Sequence, residues 1–135
     1  MRPARTYART VRVPSGWIGV DLDGTLAHYH GWNGGAIGEP VPAMLARVEG
    51  WVAQGLDVRI FTARVAASGM TKWSGEIDSD EFANDQRRLI QDWTEKHLGV
   101  RLPVTATKDF RMLSLWDDRA VSIEKNTGEI KRNDA

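Results

Sequence analysis

The chain reads as an α/β protein with a mostly parallel sheet, and three observations predict it. Short apolar runs of strand length recur at residues 17–22, 57–62, 102–106 and 112–116. Two longer segments, 43–54 and 80–98, repeat apolar residues at helical spacing. The order therefore alternates strand and helix, which goes with parallel strands joined by crossover helices.

Each element has local support. WIGVDL at 17–22 is a short buried strand stopped by the turn pair Asp23-Gly24. Residues 28–41, with Gly31, Gly34, Gly35, Gly38 and Pro40, form a long loop of the kind used as a lid or flap. Over 43–54, Met44, Leu45, Val48, Trp51 and Val52 share one helical face; Pro42 suits the start and Gly55 the position past the end. DVRIFT at 57–62 alternates, with Val58 and Ile60 on one side. Residues 65–79 are again loop-like. The helix over 80–98 takes Phe82, Leu89, Ile90 and Trp93 as its apolar face and stops at Gly99. MLSLW at 112–116 runs into Asp117-Asp118, and VSIEKNTGEI resembles a small C-terminal β-hairpin turning at Asn126-Thr127-Gly128.

Composition narrows the options. With 135 residues and 41% apolar content, residues 1–135 suit one domain with a real core. Eighteen basic residues balance eighteen acidic ones, so no global field draws in nucleic acid. The basic segment 1–14, with Arg2, Arg5, Arg9 and Arg12, reads as a solvated end. The absence of cysteine removes disulfides, thiolate metal sites and cysteine nucleophiles. No apolar run approaches the roughly 20 residues of a membrane span, and the basic N-terminus lacks the apolar stretch of a secretory signal. A cytoplasmic protein that does not engage the membrane is the expectation.

Parallel sheets bind ligands beyond the carboxyl ends of their strands. The polar residues just past those ends are Asp21 and Asp23, Thr62 and Arg64, Lys108, and Asp117 and Asp118. Four carboxylates gathered at one edge call for a cation, and oxygen-only ligands suit Mg²⁺. In an extended segment Asp21 and Asp23 point to the same side. One can attack phosphorus as a carboxylate nucleophile while the other serves the leaving oxygen as an acid. Backbone N–H groups of Gly24 and Thr25 would cradle phosphate oxygens, and Lys108 would spread positive charge over them.

These segments resemble the haloacid dehalogenase-like phosphatase superfamily. Asp21-Leu22-Asp23-Gly24-Thr25-Leu26 looks like its first motif, Thr62 in Ile60-Phe61-Thr62-Ala63-Arg64 its second, Lys108 its third, and Asp117-Asp118 its fourth. The resemblance spans residues 17 to 118. It implies a Rossmann-like three-layer fold, Asp21 as nucleophile and Mg²⁺ ligand, and Asp23 as general acid and then base, with its carbonyl on the metal. It further implies that Thr62 binds the phosphoryl group, Lys108 stabilises the phosphoaspartate, and Asp117 and Asp118 hold Mg²⁺. Arg64 either contacts substrate or pairs with a surface acid. The sequence departs from the family at Lys108, which lies nine residues before Asp117 and leaves no room for the usual intervening helix; Lys72 is a weaker substitute.

Other readings are weaker. A calcium loop starting at Asp21 would need Gly and Glu where Leu26 and Trp32 stand. His28, His30 and His97 lack the spacing of a zinc site. The insertions between motifs hold no separate cap domain, so the site is expected to be open, accepting a large partner or using a neighbouring subunit as lid. Trp32 and Trp73 lie in loops near it and could stack on a ring. The partner is then a phosphorylated small molecule such as a nucleotide or sugar phosphate, or a nucleic-acid 3′-phosphate end. The last follows from a weaker resemblance to the 3′-phosphatase part of polynucleotide kinase-phosphatases. A phosphotransferase and a non-catalytic Mg²⁺- and phosphate-binding module of the same fold are the alternatives.

Overall fold

The structure is a computed structural model that describes residues 15–66 and 79–132. The basic segment 1–14, Lys72 and Trp73 lie outside them. Four parallel strands form one sheet in the order β3-β2-β1-β4: β1 Trp17–Val20, β2 Asp57–Phe61, β3 Val104–Thr105 and β4 Met112–Trp116. Helix α1, Pro42–Ala53, joins β1 to β2 and has proline at its first position, where a missing N–H costs nothing. A 3₁₀ turn at Ala63–Val65 and helix α2, Ser79–Leu98, lie between β2 and β3.

The β1–α1–β2 and β2–α2–β3 connections step the same way across the sheet, so crossovers of one hand put both helices on one face. The core agrees with this. It combines Val20, Val58, Ile60 and Val104 of the strands with Met44 and Val48 of α1 and Ala83, Ile90 and Trp93 of α2, and Ile18 packs against it. The α2 face differs from the predicted one. Leu89 is 46% exposed, while Gln86 and Thr94 are buried beside Ala83, Ile90 and Trp93. Thr94 earns its place by accepting the Leu102 N–H and donating to the Gln91 carbonyl.

The predicted third layer is missing among the described residues. Only residues 106–111 separate β3 from β4, too few for a helix on the opposite face. There Trp17 is buried under the Arg59 guanidinium, 4.8 Å from its ring centroid, with its indole N–H donating to Asp109. Gly19 in β1 has no side chain because Met112 and Leu115 of β4 pack directly over it; an added Cβ would come within 2.9 Å of the Met112 methyl. At the C-terminus an Ile123–Ile130 antiparallel bridge and the Glu124 N–H to Glu129 carbonyl bond give the expected hairpin-like turn, with Asn126 and Gly128 at positive φ. No helix among the described residues is long and apolar enough to cross a membrane.

Candidate active site

The carboxyl ends of β1 and β4 are neighbours, and the Asp21 N–H donates to the Trp116 carbonyl at 2.9 Å. Adjacent strands thus deliver Asp21 and the pair Asp117-Asp118 to one spot. Oxygens of these three carboxylates lie within 4.8 Å of one another. A hard divalent cation fits such a donor set, because all ligands are oxygen and their mutual repulsion needs an opposing charge. The side chain of Asp23 stands apart from the trio and faces Arg64.

Thr25 ties the acids together. Its Oγ1 accepts the Asp118 N–H at 2.9 Å and lies 3.2 Å from Asp21 Oδ2 and 3.1 Å from Asp118 Oδ1. With a single proton, the hydroxyl donates to one of these at a time. Gly24 adopts φ 91°, and a Cβ there would stand 2.7 Å from Asp118 Oδ2. Glycine is required both for the turn and for the room Asp118 occupies. The expected phosphate cradle is not formed by these two N–H groups, since Gly24 donates to the Ala27 carbonyl and Thr25 to that of Leu22. A tight turn consumes its own donors.

Burial, followed by the Asp117 charge and the contact with Asp118, pushes the Asp21 carboxyl from 3.8 up to about 7, against a smaller lowering by Thr25. An acid raised on folding stabilises the protein below its unfolded value and loses that contribution as the pH rises through its folded value. Metal-free protein should therefore lose melting temperature between about pH 4 and about pH 7, and Asp21→Asn should lose less. Thermal melts in chelator check this; parallel curves for the two proteins would remove Asp21 as the source.

Arg64 is the most heavily bonded side chain of the site and is 4% exposed. Its Nε and Nη2 donate to Asp23 Oδ2 and Oδ1 at 2.7 and 2.9 Å. Nη1 donates to the Gly35 carbonyl and Gln86 Oε1, and Nη2 also reaches the Ala36 carbonyl at 3.3 Å. All five N–H groups of the guanidinium are engaged within the protein. Arg64 does pair with an acid, but the partner is Asp23 in the cavity and not the surface acid expected from sequence. The same side chain fastens the second half of loop 28–41, which is also held by the Trp93 indole N–H on the Gly38 carbonyl and the His28 N–H on that of Glu39. Gly38 is required there, because a Cβ would sit 2.1 Å from the His28 carbonyl oxygen.

A cavity of about 520 Å³ opens over these groups, lined by Asp21, Asp23, Thr62, Asp117 and Asp118 among others. Thr62 Oγ1 accepts the Arg64 N–H at 3.1 Å, which leaves its O–H free to donate into the cavity. Lys108 is exposed and does not line it. The reason is topological. The chain must return from the carboxyl end of β3 to the amino end of β4, and by Asp109 and Arg111 it already meets Trp17 at the start of β1. Lys108 lies on this return connection, outside the residues that line the cavity.

Comparison with protein families, curated proteins and solved structures finds no match. The functional reading therefore rests on the chain's own residues. Two residues that line the cavity and one that supports Arg64 escaped the sequence reading. Arg119 lines it, and its backbone N–H donates to Asp117 Oδ1 at 2.8 Å; its position directly after the acidic pair was the available signal. Tyr29 lines it from the long loop. Gln86 holds Arg64 from the buried face of α2, where a polar residue inside an apolar stripe marks a partner to be satisfied.

Proposed function

We propose that the chain hydrolyses phosphomonoesters with Asp21 as nucleophile and Mg²⁺ as cofactor. The observation that carries this is the meeting of Asp21, Asp117 and Asp118 within 4.8 Å at the ends of two adjacent parallel strands, in a cavity that Asp23 and Thr62 also line. Asp21, Asp117 and Asp118 would hold Mg²⁺, which supplies charge to offset the phosphoryl oxygens and the crowded carboxylates.

An Asp21 oxygen attacks phosphorus, and the bond from phosphorus to the ester oxygen breaks. Asp23, which rests as a carboxylate paired with Arg64, takes up a proton from solvent before the step and gives it to the departing oxygen, so an alcohol leaves and an aspartyl phosphate remains. Asp23 then takes a proton from water as that water attacks phosphorus. The bond to Asp21 breaks and inorganic phosphate is released. Thr62 donates its O–H to a phosphoryl oxygen throughout. With Lys108 outside the cavity lining, Arg119 takes the role of the cation there, because the second lining arginine, Arg64, is fully engaged.

Release of phosphate from p-nitrophenyl phosphate is the direct test. Turnover should appear with Mg²⁺, vanish in chelator, and be poorly supported by Ca²⁺, whose longer bonds and larger shell misplace an in-line attack. Full turnover in chelator would overturn the metal assignment. Tight binding of Mg²⁺ and phosphate without turnover would favour the non-catalytic module, and transfer to an added alcohol in preference to water would favour a phosphotransferase.

A further inference from the structure

The lining of the cavity divides by chemistry. Beside the carboxylates and Thr62, it consists of Tyr29, Trp32, Phe61, Ala63, Ala66 and Ala106, with Arg64 and Arg119. Tyr29 and Trp32 keep 45% and 48% of their surface exposed although both are large aromatics. Leaving such rings half in water forgoes burial that the core would reward.

Trp32 is nonetheless held firmly. The Arg64 guanidinium lies 5.0 Å from its ring centroid, and the Phe82 ring lies 6.3 Å away. Arg64 is fixed in turn by its bonds to Asp23, Gln86, Gly35 and Ala36. The same guanidinium therefore aligns the acid that serves the leaving group and supports an aromatic surface in the same cavity. Whatever alcohol departs at Asp23 leaves beside that surface.

We propose that the leaving alcohol carries a planar aromatic ring that stacks on Trp32 and Tyr29, so that the substrate is a nucleoside monophosphate; this rests on the phosphomonoesterase reading above. A sugar phosphate fits the lining less well. Its hydroxyls would exchange water for alanine and aromatic carbon, with few partners to replace the lost hydrogen bonds. A nucleoside presents a flat apolar face to those same groups. The cavity, at about 520 Å³, falls within the range of small-molecule sites, which favours a single nucleotide over a polymer end.

Two measurements on the full chain with Mg²⁺ decide the matter. The first compares kcat/KM for nucleoside 5′- and 3′-monophosphates with that for ribose 5-phosphate. One of the nucleotides should be preferred roughly tenfold or more, as expected for one stacked base, and Tyr29→Leu should shrink that ratio. Equal turnover of nucleotide and ribose phosphate, or a ratio unmoved in Tyr29→Leu, overturns the ring site while leaving the phosphatase standing. The second reads binding without turnover, in the Asp21→Asn background. Nucleoside monophosphate should quench tryptophan fluorescence where ribose 5-phosphate does not, and Trp32→Phe should remove the quenching. Quenching that survives in Trp32→Phe overturns the proposal. Ring-specific quenching alongside a wild-type chain that turns over no ester would instead overturn the phosphatase reading and support the ring site.

Discussion

Asp21→Asn is expected to lower kcat on every phosphomonoester by roughly 10⁴-fold or more while raising the melting temperature of the metal-free protein at neutral pH. The two effects share one cause. Asp21 is buried beside Asp117 and Asp118, and its ionised form is held there against desolvation and like charge. An amide of the same shape removes that penalty, so the fold gains. It also removes the oxygen nucleophile and one charge from the cation site, so chemistry is lost and Mg²⁺ affinity falls. A merely structural aspartate would move both quantities down, and a solvated turn residue would move neither. Steady-state kinetics and melts in chelator distinguish these cases; kcat within about tenfold of wild type would sink the nucleophile assignment.

Arg64→Lys should cost both stability and rate. The guanidinium fork meets Asp23 through two parallel bonds and three further acceptors through its remaining N–H groups. A lysine offers three donors from one nitrogen and cannot reproduce that fork. Removing one partner of a buried ion pair costs about 3–5 kcal/mol; with 20% of the Asp23 side chain exposed, Arg64→Met, which removes the charge outright, should fall toward the lower end, and Arg64→Lys, which keeps it, should lose less. Catalysis should suffer separately, because an acid out of line forfeits part of the roughly 10²–10⁴-fold that proton transfer contributes. The loss should fall on kcat more than KM, and should be larger for an alkyl phosphate than for p-nitrophenyl phosphate, whose leaving group needs little protonation. An equal loss on both substrates would make Arg64 a structural anchor only. The pair also qualifies any experiment on Asp23. Asp23→Asn leaves a buried guanidinium facing a neutral amide, so its effect on turnover has to be read against its own melting curve.

Much of this was already present in the order of residues. The short apolar runs read at 17–22, 57–62 and 112–116 are of strand length and too short for helices, and the structure places strands within them at 17–20, 57–61 and 112–116. Local pattern also located Asp21, Asp23, Thr62 and Asp117-Asp118, since a parallel sheet presents the residues after its strands along one edge, and each lies within three residues of its strand's end. Lys108 failed this rule for a reason no local pattern holds. It follows β3 by three residues, but the next strand is parallel and lies on the far side of β1, so the short connection immediately runs back along the sheet. The missing third layer has the same origin. Which N–H groups were free was equally invisible in sequence. Gly24 and Thr25 belong to a turn that uses their donors internally, and Arg64 spends five donors on partners from residues 23, 35, 36 and 86. The sequence by itself determined the alternating α/β order and the acids at the strand ends, because those depend on neighbours along the chain. Only the tertiary structure decided that Arg64 pairs with Asp23, that Arg119 lines the cavity while Lys108 does not, and that Tyr29 and Trp32 share the cavity, because strand order and hydrogen-bond saturation are properties of residues far apart in the chain.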